Sequence, residues 1–255
     1  MKTWRFDPRG LAAAAGFLAM VPVSGDAQTV TIVGGNGYKP LVDKTLPDGG
    51  MMTALARRAY EKAGYEVKTS FPGWVRGEKL IELGDRDAMV GLVKTEDREG
   101  TMRFPDPLYV SEVVPVTDRS MTSDIESFDI FRNKDMCLTQ GYNIASDRVQ
   151  DMVDAGEVTV SVRPSSVAEC MRLVSTKRAD FMVAEAPVAR YLAQNEMTDT
   201  SGIKIHDFVA DELVLYTTVS KELENSADLV EDFNQGLASI KDSGTYQEIV
   251  SRHLE

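Results

Sequence analysis

The sequence predicts an α/β fold built from two similar lobes, each an open sheet covered by helices. Short apolar strand-like segments alternate with amphipathic helix-like segments, and this alternation stops and restarts near the middle of the chain. In addition, "RDAMVG" (86–91) and "RADFMVAE" (178–185) each place a basic residue and an aspartate before an apolar strand. As a sequence repeat the pair is weak, but as topology it favours two lobes of the same architecture.

The first lobe is predicted from the segments up to residue 93. Apolar residues recur at helical spacing from Met52 to Ala63, and Gly64 ends this helix. A second helix is predicted over 74–84. Three segments are typical of strands: "VTIVGG" (30–35), "EVKTSF" (66–71) and "DAMVGLV" (87–93). Because the third is apolar throughout, we expect a parallel strand covered on both faces.

The second lobe is predicted from the segments after residue 134. Ser146 is a candidate N-cap of a helix that Gly156 ends, Ser166 and Glu169 form a candidate capping box, and Pro187 opens a third helix. Strands are predicted at 135–140, 158–162 and 180–185. The chain then returns to the first lobe with a strand at 213–220 and two helices.

The composition excludes several classes of function. Asp and Glu number 40 against 28 Lys and Arg, a net charge of −12, and no basic run is present, so the chain is a poor candidate for nucleic acid or anionic membrane. With only two histidines, a zinc site or a histidine-based triad lacks its usual residues. There is no phosphate-binding glycine loop or nucleophile motif. We therefore expect no metal, no cofactor and no catalytic residues.

The first 27 residues have the pattern of a secretory signal peptide. Lys2, Arg5 and Arg9 precede the apolar run "LAAAAGFLAMVPV" (11–23), and small residues follow at Gly25 and Ala27. A membrane anchor is the alternative, but the run is too short to span a bilayer. We expect cleavage after Ala27, no lipid anchor, and a mature protein in the periplasm.

Cys137 and Cys170 are the only cysteines. One lies in a predicted strand and the other on the apolar face of the helix that would cover it, and an exported protein meets an oxidising compartment. We predict a disulfide between them. Two buried free thiols are the alternative.

The motifs then resemble those of a known family. "NGYKPLVD", "PGW", "GDRDAMVGLVKTEDREGTMRFPDPLY", "KRADFMVAEAPVARYL" and "SGTYQEIVSRHL" are similar to segments of extracellular solute-binding proteins of family 3, which serve polar amino-acid ABC transporters. The resemblance implies a type II periplasmic-binding-protein fold, with two α/β lobes joined by two hinge strands. Lobe 1 would comprise residues 28–112 and 214–255, and lobe 2 residues 113–213. The hinge would lie near 111–115 and 211–215.

The resemblance also implies where a ligand binds. Arg98 follows a buried strand and matches the family's anchor for a ligand carboxylate, for which a guanidinium is suited because it donates two parallel hydrogen bonds. Thr95 would add a hydroxyl and Gly91 a carbonyl. The alternative for Arg98 is a solvated loop residue.

The rest of the predicted site is spread over both lobes. Glu185 would accept the ligand ammonium at a position where the family usually has Asp; the alternative is a helix N-terminal charge. Tyr38 and Trp74 would stack on the ligand, although Trp74 could be a core side chain. Tyr142 and Asn143 match the stretch that completes the carboxylate site. Val93 and Glu96 depart from the family pattern, which leaves room for another zwitterion or an organic acid.

The predicted function is periplasmic capture of a small polar solute, an amino acid or related zwitterion, and its delivery to an ABC transporter permease by hinge closure. We expect a monomer. Two other functions stay open: an exported dehydratase-like enzyme on the same scaffold, and an accessory or sensory binding protein without a transporter.

Overall fold

The computed structural model describes Met1, residues 28–121, 125–140, 142 and 144–254. The predicted signal peptide and the candidate ligand residue Asn143 therefore lie outside the described residues. No helix in the part of the chain described here is long and apolar enough to cross a membrane.

Ten strands and eight α-helices make up the described fold. The strands are β1 (Thr29–Val33), β2 (Glu66–Ser70), β3 (Ala88–Leu92), β4 (Met102–Arg103), β5 (Tyr109–Asp118), β6 (Lys134–Cys137), β7 (Val158–Val162), β8 (Phe181–Glu185), β9 (Ile203–Ile205) and β10 (Asp211–Ser220). The helices are α1 (Met51–Lys62), α2 (Trp74–Glu82), α3 (Glu96–Thr101), α4 (Asp147–Asp154), α5 (Val167–Ser175), α6 (Ala186–Asn195), α7 (Ser226–Asp242) and α8 (Thr245–Leu254). Short 3₁₀ turns occur at 47–49 and 128–131.

The two lobes share one strand order. The sheet runs β2-β1-β3-β10-β5-β8-β6-β7, with β4 beside β10 and β9 beside β5. In the first lobe β1 pairs in parallel with β2 and β3, and in the second β6 pairs in parallel with β7 and β8. Each parallel set is bordered by an antiparallel strand, β10 or β5. The predicted fold class is therefore confirmed.

The strands β5 and β10 connect the lobes. They pair antiparallel from Asp211 opposite Val113 to Leu215 opposite Tyr109. Beyond this stretch β5 continues beside β8, and β10 continues beside β3. The predicted hinge segments fall within these two strands. The lobe boundaries at 112–113 and 213–214 remain a prediction.

The end of the chain completes the first lobe. Helix α7 packs closely on α1. A Cβ atom added at Gly236 on α7 would lie only 2.0 Å from the backbone oxygen of Ala59 on α1. Phe233 on α7 meets Tyr60 on α1 with ring centroids 5.1 Å apart, and both side chains are fully buried. The core of the first lobe is thus shared between early and late parts of the sequence.

Most predicted caps have the expected geometry. Ser146 and Ser166 accept hydrogen bonds from the backbone N–H groups of Val149 and Glu169, at 3.4 and 3.2 Å. The Glu169 carboxylate bonds Arg172 on the next turn of α5. The Glu169 carboxylate, which a capping box would use to bond the start of the helix, is thus paired with Arg172.

Candidate functional site

A cavity of about 430 Å³ lies between the lobes, at the carboxyl ends of the parallel strands. The first lobe contributes the loop after β1, residues 36–39, together with Asp43. The second lobe contributes residues that follow β6 and β7 and the end of β8, including Thr139, Tyr142, Ser166 and Glu185. Open α/β sheets bind ligands at this edge, so the cavity is where the topology places a binding site.

A second cavity, of about 520 Å³, is bordered by Pro40, which follows the same loop. Its lining comes mainly from α6, α8 and the start of β5, including Tyr109, Arg190, Tyr191 and His253. The side chains of these helices, and not the ends of parallel strands, form its wall. The smaller cavity therefore fits the predicted site better.

Glu185 and Tyr38 meet across the cleft. The Tyr38 hydroxyl donates a short hydrogen bond to the Glu185 carboxylate, which joins the loop after β1 to the end of β8. Burial raises the pKa of Glu185 to about 7, against the opposing effect of the hydrogen bond from Tyr38. Burial, followed by the charge of Glu185, also raises the pKa of Tyr38 well above its usual value. The carboxyl of Glu185 is thus poised to titrate near neutral pH.

An ion pair adds a second contact between the lobes. Lys39 Nζ lies 2.9 Å from Glu196 Oε1, just past the end of α6. The pair is partly exposed, with side-chain accessibilities of 27% and 36%, so solvent screens it. Together with the Tyr38 contact, it holds the loop after β1 against the second lobe.

Asp43 organises the loop that carries Tyr38. Its buried carboxylate accepts hydrogen bonds from the Gly37 N–H at 2.6 Å and from the N–H and hydroxyl of Thr45 at 2.8 and 2.6 Å. Burial alone would raise the pKa of Asp43, but these hydrogen bonds outweigh burial and lower it. Sequence reasoning missed this residue, although it lies within the motif "NGYKPLVD".

Arg98 is bonded to an acidic side chain of its own lobe. Its Nε and Nη2 atoms donate to the two carboxylate oxygens of Glu78 on α2, at 3.1 and 3.0 Å. Its Nη1 atom donates to the Val93 carbonyl at 3.0 Å. Thr95 caps α3, with its hydroxyl 3.4 Å from the Arg98 backbone N–H. Arg98 is therefore not a solvated loop residue, and it is absent from the lining of the cavity.

Trp74 packs over the backbone of its own lobe. Its indole N–H donates to the Asn36 carbonyl at 3.0 Å, and its ring lies where a side chain on Gly35 would have to be. The Trp74 ring also lies 3.1 Å from the position that a Cβ atom on Gly91 would take, and Gly91 has a φ of +86°. Tyr38 approaches Trp74 edge-on, with centroids 5.9 Å apart. The loop after β1 and the end of β3 are thus held together by one aromatic side chain.

The geometry can be compared with known proteins. A family model described as bacterial extracellular solute-binding proteins, family 3, matches residues 31–255. The chain belongs to this family. The resemblance noted in the sequence is thereby confirmed. The comparison of this solute-binding protein with curated proteins gave no match.

Solved structures show the same fold over most of the solute-binding protein. A histidine kinase sensor domain with similarity to periplasmic binding proteins has a TM-score of 0.69 at 19% identity, covering 89% of this chain and 96% of that one. The second substrate-binding domain of GlnP from Lactococcus lactis, in open conformation, has a TM-score of 0.68 at 19% identity, covering 91% and 97%. The ancestral amino acid-binding protein AncCDT-1, a precursor of cyclohexadienyl dehydratase, has a TM-score of 0.67 at 21% identity, covering 89% and 96%. Such likeness establishes the type II fold.

Only part of the predicted site lines the cavity of the solute-binding protein. Tyr38, Glu185 and the exposed Tyr142 do so. Arg98, Thr95, Gly91 and Trp74 lie on neighbouring elements of the first lobe, outside this lining. Thr139 and Ser166 line the cavity as well, and the sequence did not indicate them as candidate site residues. Ser166 carried a signal for its helix cap, which gave no indication of a binding role.

Proposed function

We propose that this solute-binding protein captures a small polar solute with an amine group, an amino acid or a related zwitterion, between its lobes. The observation that supports this most strongly is the cavity itself, which both lobes line and which has Glu185 at its wall. Its volume of about 430 Å³ lies within the range of small-molecule sites. We further propose that the monomeric protein works in the periplasm, and that its closed form delivers the solute to an ABC transporter permease.

The proposed roles follow from the chemistry of the lining. Glu185 accepts the ligand ammonium, in exchange for the hydroxyl of Tyr38. Tyr38 and Tyr142 offer aromatic faces to a cation. Ser166 and the N-terminus of α5 offer hydroxyl and backbone donors to a polar group. Arg98, with Thr95 and Gly91, is the proposed carboxylate contact, which a ligand reaches once Glu78 leaves the guanidinium.

Native mass spectrometry of protein purified from its own periplasm tests the proposal. We expect one co-purified small solute, to be identified after release. Calorimetry with that solute should then show a loss of roughly 30-fold or more in Glu185→Gln, because removing one partner of a desolvated charged pair costs about 2–5 kcal/mol. Glu157→Gln is the matched control, since Glu157 lies in the same lobe, pairs with Arg132 and does not line the cavity. Equal losses in both variants would contradict the assigned role of Glu185.

The enzyme alternative has one observation in its favour. A carboxyl group with a pKa of about 7, as Glu185 has, suits general acid–base catalysis. If the protein were such an enzyme, incubation with the co-purified solute would convert it to a product. Recovery of the unchanged solute after many hours at stoichiometric concentration would leave binding as the function. The fold of the histidine kinase sensor domain makes a sensory role the other alternative.

A further inference from the structure

The pair formed by Glu78 and Arg98 resembles the contact that a bound carboxylate would make. Both carboxylate oxygens are used, at 3.0 and 3.1 Å, in the two-pronged geometry that guanidinium groups form with free carboxylates. A third N–H of Arg98 is used by the Val93 carbonyl. Three of the five guanidinium N–H donors are thus engaged within the first lobe, and the charge is balanced by Glu78.

The fold holds Glu78 in this position. It lies on α2, one turn after Trp74, and Trp74 is fixed by its bond to the Asn36 carbonyl. Arg98 lies on α3, whose first turn Thr95 caps. Neither side chain is fully exposed, at 24% for Arg98 and 26% for Glu78. Because α2 is anchored, Glu78 stays near the guanidinium at the high effective concentration of an intramolecular group.

The cavity itself has an excess of negative charge. Among the described residues that line it, the acidic side chains are Asp43, Glu185 and Glu196, and the only basic one is Lys39. Lys39 is already bonded to Glu196. With all groups ionised, the lining carries a net charge of −2. The lining therefore favours a cation and offers no unpaired basic side chain to an anion.

We infer that Glu78 is a specificity-determining residue. Its carboxylate occupies the paired hydrogen-bond donors of Arg98, so the cleft selects small organic amines over the corresponding amino acids. This inference rests on the proposed capture of a solute with an amine group, and it narrows that class to solutes that need no carboxylate contact at Arg98. A ligand carboxylate must exchange with Glu78, so the bonds it gains at Arg98 are offset by the bonds that Glu78 loses. The ammonium of the same ligand displaces only the neutral hydroxyl of Tyr38 from Glu185, whereas the ligand carboxylate must displace a charged group from Arg98.

Matched pairs of ligands test the inference directly. We would measure dissociation constants by calorimetry at pH 8, where Glu185 is ionised, for arginine and agmatine, ornithine and putrescine, lysine and cadaverine, and histidine and histamine. Each pair differs only in the carboxylate. We expect that, in the pairs that bind, the amine binds at least as tightly as its amino acid. An amino acid that binds more than about 10-fold tighter than its amine in every binding pair would overturn the inference, because Arg98 would then be open.

Glu78→Gln makes the test specific to this residue. The amide keeps the size of Glu78 but loses its charge, so the preference should move toward the amino acid by about 10-fold or more. Glu82→Gln is the control: Glu82 lies on the same helix, bonds Lys79 at 3.0 Å on the surface, and should leave the preference unchanged. Glu78→Ala and thermal melting curves guard against a folding defect. An unchanged preference in both folded Glu78 variants would overturn the inference.

The outcomes separate the inference from the proposed function. A ligand whose affinity depends strongly on its carboxylate would contradict the selection by Glu78. The same result would still support the proposed solute binding. Absence of binding by all eight probes would overturn the amine class, while the solute found by native mass spectrometry would still decide the proposed function.

Discussion

At the scale of single residues, the protonation of Glu185 connects the site to pH. Burial holds its pKa at about 7, and the phenol groups of Tyr38 and Tyr142 face it. The fully buried Ser111 hydroxyl lies on β5, two residues before Val113, which pairs with Glu185. Because burial raises the pKa of Glu185, protonation of this carboxyl stabilises the closed state without ligand. This stabilisation is present at low pH and is lost as the pH rises through about 7.

We predict that binding of an amine releases a proton when the pH lies below 7. An ammonium group needs the ionised carboxylate of Glu185, so the proton held at pH 6 must leave, and affinity should fall as pH falls through 7. Calorimetry in buffers with different heats of ionisation measures this. We expect close to one proton released at pH 6, almost none at pH 8.5, and none in Glu185→Gln. Equal release at both pH values would show that another group titrates.

The residue types of the site could be predicted from the sequence, but their partners could not. Arg98 and Glu185 were identified from the resemblance to the family, and their positions at the ends of apolar strands supported the choice. The bond from Arg98 to Glu78 joins residues 20 positions apart, and it depends on how α2 lies beside α3. The hydrogen bond between Tyr38 and Glu185 joins residues 147 positions apart, one in the loop after β1 and one at the end of β8. Sequence periodicity indicates which face of a helix or strand is buried, so it could indicate neither of these two contacts.

At the scale of elements, long periodic segments were predicted well and short ones were missed. Helix α1 and strands β7 and β8 follow the predicted ranges within one residue at each end. Helix α3 was missed because its six residues, "EDREGT", carry no apolar face. Strands β4 and β9 were missed because they are two and three residues long and form only beside β10 and β5. Their formation depends on tertiary contacts.

The packing of α7 on α1 makes Gly236 a sensitive position. We predict that Gly236→Ala lowers the free energy of unfolding by about 1–3 kcal/mol, because its methyl group would overlap the Ala59 carbonyl and force the helices apart. Urea denaturation measures this. Gly100→Ala is the control: nothing lies within 4 Å of its Cβ position, and alanine favours a helix, so the free energy should stay equal or rise slightly. A neutral Gly236→Ala would show that α7 can move away freely.

The disulfide ties β6 to α5. The structure joins Cys137 to Cys170, 33 residues apart in sequence, and both side chains are buried. Closing a loop of this length stabilises the fold by about 3–4 kcal/mol in the chain-entropy model. We predict no free thiol in denatured, unreduced protein, and a melting temperature that falls by roughly 10 °C on reduction. Titration of two thiols before reduction would contradict the pairing.

At the scale of the whole molecule, the hinge strands and the contacts across the cleft act in opposition. In the proposed hinge motion, β5 and β10 allow the lobes to separate, while the bonds Tyr38–Glu185 and Lys39–Glu196 hold the lobes together. With Glu185 ionised, its hydrogen bond from Tyr38 and the partly exposed ion pair of Lys39 with Glu196 contribute about 2–4 kcal/mol together. This is enough to shift an equilibrium between open and closed forms by more than tenfold.

We predict that Tyr38→Phe combined with Lys39→Met opens the protein in the absence of ligand. Small-angle X-ray scattering should show a larger radius of gyration than for the parent protein, since both contacts are lost. Arg190→Met is the control, because it removes an exposed ion pair to Asp207 within the second lobe. If the double variant had the parent's radius, other contacts would be holding the cleft closed.

The return of the chain to its first lobe also sets the order in which the two lobes can fold. A chain is made from its beginning, and an exported chain emerges from the membrane in the same order, so residues from β6 to β9 are all present before α7. The second lobe can then bury its core while the first lobe still lacks Phe233, the partner of Tyr60. The late helix α7 completes the lobe that began earliest. Because the cavity needs both lobes, the proposed solute site forms last, when helices α7 and α8 dock onto the segment made at the start.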